Sequence, residues 1–305
     1  MQRLEGRTIA YVAFGAFCAL SSARDVISEA LFKNHTYNAS PVFVLFVYCV
    51  VTQCVAGAVL LARHPFQCTK WITGRENYLI RLNGFTLAAF FFYFLAINSP
   101  LGAAMNSFVD YGSSPAFTAI VGTLLGQERL DRTFAISALV SLAGILVLSA
   151  PRVYIDEFSL LWVVGLSFSF ISSISSAFYR VYYKLLLVDG MTKSAVIFIR
   201  LFGITIALGA ILLIRPELFR VDLLAETAIL GFVGFTLPLF LTLIIIQRLT
   251  IRSFAMLLFA VPVLTFLLSA SVGYAHLFVS DIVAAGLAVL GVVVHERRGG
   301  ELRTD

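Results

Sequence analysis

Charge is scarce in this chain, and that scarcity sets the first limit on what the protein can be. Only 13% of its 305 residues are charged while 60% are hydrophobic, and the mean hydropathy is +0.94. A soluble globule of this size could not keep its surface wet with so few charges, so the chain needs lipid around it. Metal- and base-forming residues are also few. The four cysteines, Cys18, Cys49, Cys54 and Cys68, show no metal-ligand spacing, and small apolar filler is their expected role. His35 and His64 fall in loops, and His276 and His295 near span ends, so no intramembrane histidine pair is available for haem, a metal or a nucleophile's base. No Walker-type phosphate loop is present, which argues against an ATP-driven pump. No cofactor and no metal are therefore expected.

What the chain does have is a series of long apolar runs. A spanning helix takes roughly 20 apolar residues. On that measure ten spans are read, at about 8–32, 41–62, 79–97, 101–125, 133–149, 159–183, 192–214, 225–247, 253–274 and 280–295. Ser99-Pro100, Ala150-Pro151 and Arg215-Pro216 separate neighbours, because proline lacks the amide proton and biases its predecessor away from helix. The connections are short, leaving no separate soluble domain. The first run is too long to be a cleaved signal peptide and carries Arg24, Asp25 and Glu29.

Basic residues set the orientation. With the N-terminus inside, sixteen lysines and arginines fall on the cytoplasmic side, Arg180 and Lys184 among them, against four on the other side, with Arg24 and Arg200 inside spans. Such a positive-inside bias places both termini in the cytoplasm of a cell inner (plasma) membrane, and an even number of spans agrees with it. The net charge of +5 then reflects topology and anionic headgroups, and no nucleic-acid partner is expected. Asn34-His-Thr36 and Asn38-Ala-Ser40 are sequons on the expected outer side, for which chance is the better reading.

The two halves carry the same pattern. Ser21-Ser22-Ala23 recurs as Ser175-Ser176-Ala177, and Pro115 as Pro262, each offset by close to half of the 305 residues. Residues 1–150 and 151–305 are read as two five-helix repeats, and a substrate site is expected between them near the bilayer midplane.

Leu95-Ala-Ile-Asn-Ser-Pro-Leu-Gly-Ala-Ala-Met105, then Ser114-Pro115, Gly126-Gln-Glu128-Arg-Leu130 and Ser141-Leu-Ala-Gly144-Ile-Leu-Val147, resemble the EamA-type repeat of the drug/metabolite transporter superfamily. The second half repeats it as Gln247 to Ser253, Val261-Pro262 and Ala285-Gly286 to Val292. The resemblance implies an all-α membrane protein of ten transmembrane helices in two inverted five-helix repeats, moving a small metabolite, often outward. Two positions depart from it. Ala275-His276 stand where a second-repeat glutamate is common, so only Glu128 carries that feature, and Tyr48 stands where many relatives have an arginine, a charge that Arg200 supplies instead.

Independently of the resemblance, charges inside spans point to a site. Each Arg or Asp at a span centre costs roughly 2.5 to 3.5 kcal/mol on insertion scales, so such residues persist where they line a cavity or pair. Arg24, Asp25, Asp110 and Arg200 qualify. At roughly 1.5 Å per residue, Arg24 and Asp110 lie at one depth and are placed to meet, whereas Arg24 and Asp25, about 100° apart on one helix, are not expected to neutralise each other. Ser22, Asp25 and Glu29 form one polar stripe, and Ser107, Asp110 and Ser114 another. The repeat sets Phe178 and Tyr179 opposite Arg24 and Asp25. The serines are equally read as helix-packing residues, and Arg200 as a side chain that snorkels to the inner interface. Pro115, Pro262 and Glu128 are candidate gating residues, Glu128 being otherwise part of a solvated turn. Phe90-Phe-Phe-Tyr-Phe94 is read as packed or lipid-facing aromatic surface.

Together these readings point to a secondary active transporter, not an enzyme, that exports a small amphoteric, amino-acid-like metabolite by alternating access, with protons as the expected driving force. Asp110 is the expected proton or ammonium site. A nucleotide-sugar or drug carrier of the same superfamily is the alternative, and an intramembrane enzyme or a structural membrane protein the alternative outside it.

Overall fold

The computed structural model describes residues 2–63, 74–126, 159–249, 253–254 and 257–274, with isolated helical positions at 135–136, 139–140, 143–144, 147, 283, 286–287 and 290. Glu128, most of the fifth and tenth expected spans and the boundary at 150/151 lie outside the described residues. Those residues are helical with no strand: α1 Gln2–Lys33, α2 Pro41–Arg63, α3 Glu76–Asn98, α4 Gly102–Leu124, α5 Leu160–Val188, α6 Lys193–Arg200, α7 Phe202–Ile214, α8 Leu224–Leu230, α9 Leu237–Arg248 and α10 Ala260–Ser271. Six segments are long and apolar enough to cross a membrane: Thr8–Lys33, Pro41–Arg63, Glu76–Asn98, Leu160–Val188, Lys193–Ile214 and Pro216–Arg248.

Local chemistry accounts for the helix ends. Ser159 caps α5 by accepting from the Trp162 amide at 3.2 Å, and Thr192 caps α6 by accepting from the Ala195 amide at 3.3 Å. Between α3 and α4 the chain turns at Ser99-Pro100 and enters α4 through Gly102, whose φ of +72° suits glycine. Space makes the same demand, since a Cβ on Gly102 would lie 2.6 Å from Glu29 Oε1. That carboxylate accepts from the Ala103 amide at 3.0 Å and from Lys33 Nζ at 2.7 Å, so a negative charge sits on the positive end of α4.

Helix α4 is the polar centre of the bundle. Its sequence is less apolar than that of its neighbours because protein, not lipid, surrounds it, and residues 101–115 are buried without a break. Helix α5 packs most extensively on α3 and α4, while α1 packs on α9 and α10. The two proline helices, α4 and α10, also touch.

Three spans differ in form from the expectation. Helix α5 runs on to Val188, one turn past the expected end, because Leu185 to Val188 continue its apolar run. The seventh span breaks at Leu201, directly after Arg200. In the eighth span a π-helical turn, Gly231–Thr236, separates α8 from α9. A Cβ on Gly231 would lie 2.9 Å from the Tyr48 ring and one on Gly234 2.7 Å from Arg24 Cβ, so these glycines let the turn approach α2 and α1. The Thr236 hydroxyl, donating to the Gly231 carbonyl at 3.0 Å and lying 2.8 Å from Thr52 Oγ1, stitches the turn to α2.

Candidate functional site

Arg24, on the middle of α1, is buried, with 5% of its surface exposed. Its guanidinium folds back to donate from Nε and Nη2 to Asp25 Oδ1 at 2.8 and 2.5 Å. The expectation that these neighbours would not neutralise each other is corrected by this ion pair. Their Cα–Cβ vectors do diverge, but the arginine stem is long enough to bend back, and a low-dielectric interior rewards the pair far more than water would. Tyr93 donates its hydroxyl to Asp25 Oδ2 at 2.5 Å, and Tyr93, Phe94 and Phe235 surround the Arg24 Cζ at 5.5, 5.9 and 5.8 Å from their ring centroids. The charge is thus paired, hydrogen-bonded and covered by aromatic faces.

Asp110 has a different partner. Ser172 on α5 donates to its Oδ1 at 2.6 Å, and Ser173 donates to its backbone carbonyl at 2.7 Å. One turn earlier Ser169 donates to Asn106 Oδ1 at 2.5 Å, and one turn later Arg180 donates to the Ser114 hydroxyl. Hydroxyls therefore zip α4 to α5, the helix-packing role weighed for them. Ser107 meets Thr265 of α10 at 3.4 Å, and Ser22 donates to the Val261 carbonyl beside Pro262 at 3.2 Å. Pro115 and Pro262 are both buried, within α4 and in the first turn of α10.

Arg24 and Asp110 line one cavity with Phe90, Tyr93, Tyr111, Ser172, Ser176, Tyr179 and Arg180. At about 20 Å³ it has room for roughly one water and no metabolite, so a solute can enter only when the helices part. Glu29 is engaged with Lys33 and the α4 N-terminus and does not line this cavity. Within the aromatic run the reading changes by residue: Phe90 and Tyr93 face the cavity and Phe94 covers Arg24.

Arg180 was missed as a site residue by the sequence reading, which counted it with the cytoplasmic-side basic residues at the end of the sixth span. It is 3% exposed, inside α5 and on the cavity wall. Its spacing of four and eight residues from Ser176 and Ser172 was the available signal, since that places it on the serine face of one long helix. Arg200, read both as a site residue and as a side chain that snorkels, is fully buried. Its Cζ stands 5.3, 5.2 and 4.3 Å from the ring centroids of Phe90, Tyr179 and Tyr183, and none of its three side-chain nitrogens has a hydrogen-bond partner. Snorkelling fails because Arg200 stands on the face of its span that meets Phe90, Tyr179 and Tyr183 rather than on an outer face. Cation–π contacts of roughly 2 kcal/mol each when desolvated stabilise the guanidinium without supplying a counter-charge.

The described residues thus form a helical membrane protein with charges of both signs around one small cavity. Residues 163–295 match the EamA-like transporter family, so the second half carries that family's segment and the resemblance to the drug/metabolite transporter superfamily is borne out. A solved structure described only as the crystal structure of a protein aligns at a TM-score of 0.72 and 19% identity, over 98% of this chain and 99% of that one, and so shares its fold. No curated protein matches the chain. The protein is a multi-pass membrane protein of transporter type.

Proposed function

We propose that the chain is a secondary active transporter that carries a small amphoteric, amino-acid-like metabolite out of the cell on the proton gradient, through alternating access of two inverted five-helix repeats. In this reading residues 1–150 and 151–305 are the repeats, ten helices span the membrane, and both termini face the cytoplasm. The observation that carries it is the cavity in which Asp110 and Arg180 stand with Arg24, drawn from helices of both halves. A zwitterion needs one acceptor and one donor of charge at fixed separation, and Asp110 with an arginine across the cavity meets that need. Alternating access draws support from the reciprocal packing of α1 on α9 and α10 and of α5 on α3 and α4. Two such packings of equal kind can exchange which one is tight.

Asp110 is the coupling residue in this mechanism. When the helices part, its bond from Ser172 is free to break, and the carboxylate then takes either a proton or the substrate's ammonium group. Competition between the two links loading to proton release. Pro115 serves as a hinge because its ring removes one helical hydrogen bond within α4, and Pro262, in the first turn of α10 where no such bond is lost, is the matching candidate at the start of that helix. Glu128 is retained as a gating candidate.

The test is transport by the purified protein in vesicles, following an amino-acid mixture by mass under an imposed proton gradient. Asp110→Asn keeps size and hydrogen bonding but not titration, and is expected to abolish gradient-driven accumulation in protein that still inserts and folds. Normal accumulation with a normal pH dependence would reduce Asp110 to a structural partner.

A further inference from the structure

Arg24 is paired with Asp25, and Arg180 with the Ser114 hydroxyl, but Arg200 has neither counter-charge nor hydrogen bond. A guanidinium presents five N–H donors in a planar fork, and here it is fully buried with every nitrogen unsatisfied. The guanidinium lies 4.3 Å from the Tyr183 ring centroid, and the hydroxyl on that ring, of a residue only 1% exposed, is a second unsatisfied group. Two buried donors on touching residues with nothing to donate to describe half of a binding site, the missing half being an acceptor. Phe90 and Tyr179 separate this pair from the central cavity, since the same two residues line the cavity and lie against the guanidinium.

We infer that Arg200 and the Tyr183 hydroxyl form an anion subsite, closed by Phe90 and Tyr179, that takes the single carboxylate of the cargo after it leaves the central cavity. The inference rests on the transport reading above and assigns the carboxylate to Arg200 rather than to Arg24, whose charge Asp25 already meets. A fork of donors plus one hydroxyl fits a planar monoanion, whereas a phosphate dianion would need more positive charge than one guanidinium supplies. Rotation of the Phe90 and Tyr179 side chains opens the way, so the subsite fills only in a state with a wider cavity than this one.

The full-length protein in detergent, titrated with sodium butyrate at constant ionic strength, tests the assignment through its thermal midpoint. Butylammonium serves as the charge-reversed control and inorganic phosphate as the dianion control. Butyrate is expected to raise the midpoint saturably while the two controls leave it unchanged. Arg200→Gln should shift the butyrate half-saturation point at least tenfold, Arg200→Lys less, and Tyr183→Phe severalfold, while Ser167→Ala on the exposed face of α5 leaves it in place. Arg200→Gln is also expected to raise the midpoint without ligand, because it removes an unpaired buried charge; if it does not fold, Arg200→Lys and Tyr183→Phe carry the test. The inference falls if wild type shows no saturable response, if butylammonium or phosphate acts equally, or if the Arg200 and Tyr183 variants respond like wild type. An Arg200-dependent response in protein that transports nothing would keep the subsite and overturn the transport reading. Transport with no role for Arg200 in the titration would do the reverse.

Discussion

The two interior arginines on α1 and α6 solve the same problem in opposite ways. Arg24 neutralises itself against its own neighbour in sequence, and Arg200 goes unneutralised behind aromatic rings. Removing one partner of a buried pair strands the other charge, at a cost of about 3–5 kcal/mol. Arg24→Leu should therefore destabilise the protein by that amount in reversible unfolding, and the double change Arg24→Leu with Asp25→Asn should recover most of it. A double variant no better than the single one would mean that packing around the arginine stem, not its charge, is what matters. A second residue-scale prediction concerns the turn into α4. Gly102 and Gly74 both have positive φ, but only at Gly102 does a carboxylate stand where a Cβ would go. Gly74→Ala should lower stability by roughly 1 kcal/mol through backbone strain alone. Gly102→Ala should cost more than that, because it also displaces Glu29 from the α4 N-terminus.

Among the elements, how much could be read from the sequence varied with the physics behind each signal. The apolar runs that became α1, α2 and α3 were legible because lipid-facing helices must be uniformly apolar, and proline marked the turn between α3 and α4. Helix α4 was found despite its polarity, through its flanking Pro100 and the stripe of Ser107, Asp110 and Ser114. The ion pair between Arg24 and Asp25 was not legible, because side-chain rotation lies outside the 100° rule for backbone spacing. Arg180 was misplaced because a basic residue near the end of an apolar run looks the same whether the helix stops there or continues for two more turns. The break after Arg200 leaves no mark, since Leu201 and its neighbours are ordinary helix formers. Ser172→Ala follows from the zipper between α4 and α5. It leaves Asp110 Oδ1 without its donor and should lower the melting midpoint, with a loss of roughly 1–3 kcal/mol, while Ser167→Ala on the exposed face of α5 should be neutral.

At the scale of the whole molecule, contacts fix which loops share an end of the bundle. Arg220 donates to the Tyr37 carbonyl at 2.6 Å, and Arg75 pairs with Asp189, so residues near 37 and 220 lie at one end and those near 75 and 189 at the other. The grouping agrees with the two sides read from basic residues. Moving Arg180 from the inner side to the interior leaves that bias standing at fifteen against four. In a cysteine-free background, Tyr37→Cys should react with an impermeant thiol reagent in intact cells, and Asn77→Cys should react only after permeabilisation. The reverse pattern would invert the orientation and with it the direction of transport.

The π-helical turn at Gly231–Thr236 makes the span that contains it one residue longer than a regular helix between the same end points would be. A spare residue is a form of mechanical slack. Deleting Val233 would let the turn tighten to ordinary helical pitch while α8 and α9 keep the faces they now present, whereas deleting Leu241 within α9 would rotate everything beyond it by about 100°. The shorter chain lacking Val233 is expected to reach the membrane and fold, yet to draw Gly234 away from Arg24, so the slack is located where the backbone touches the charged wall of the cavity.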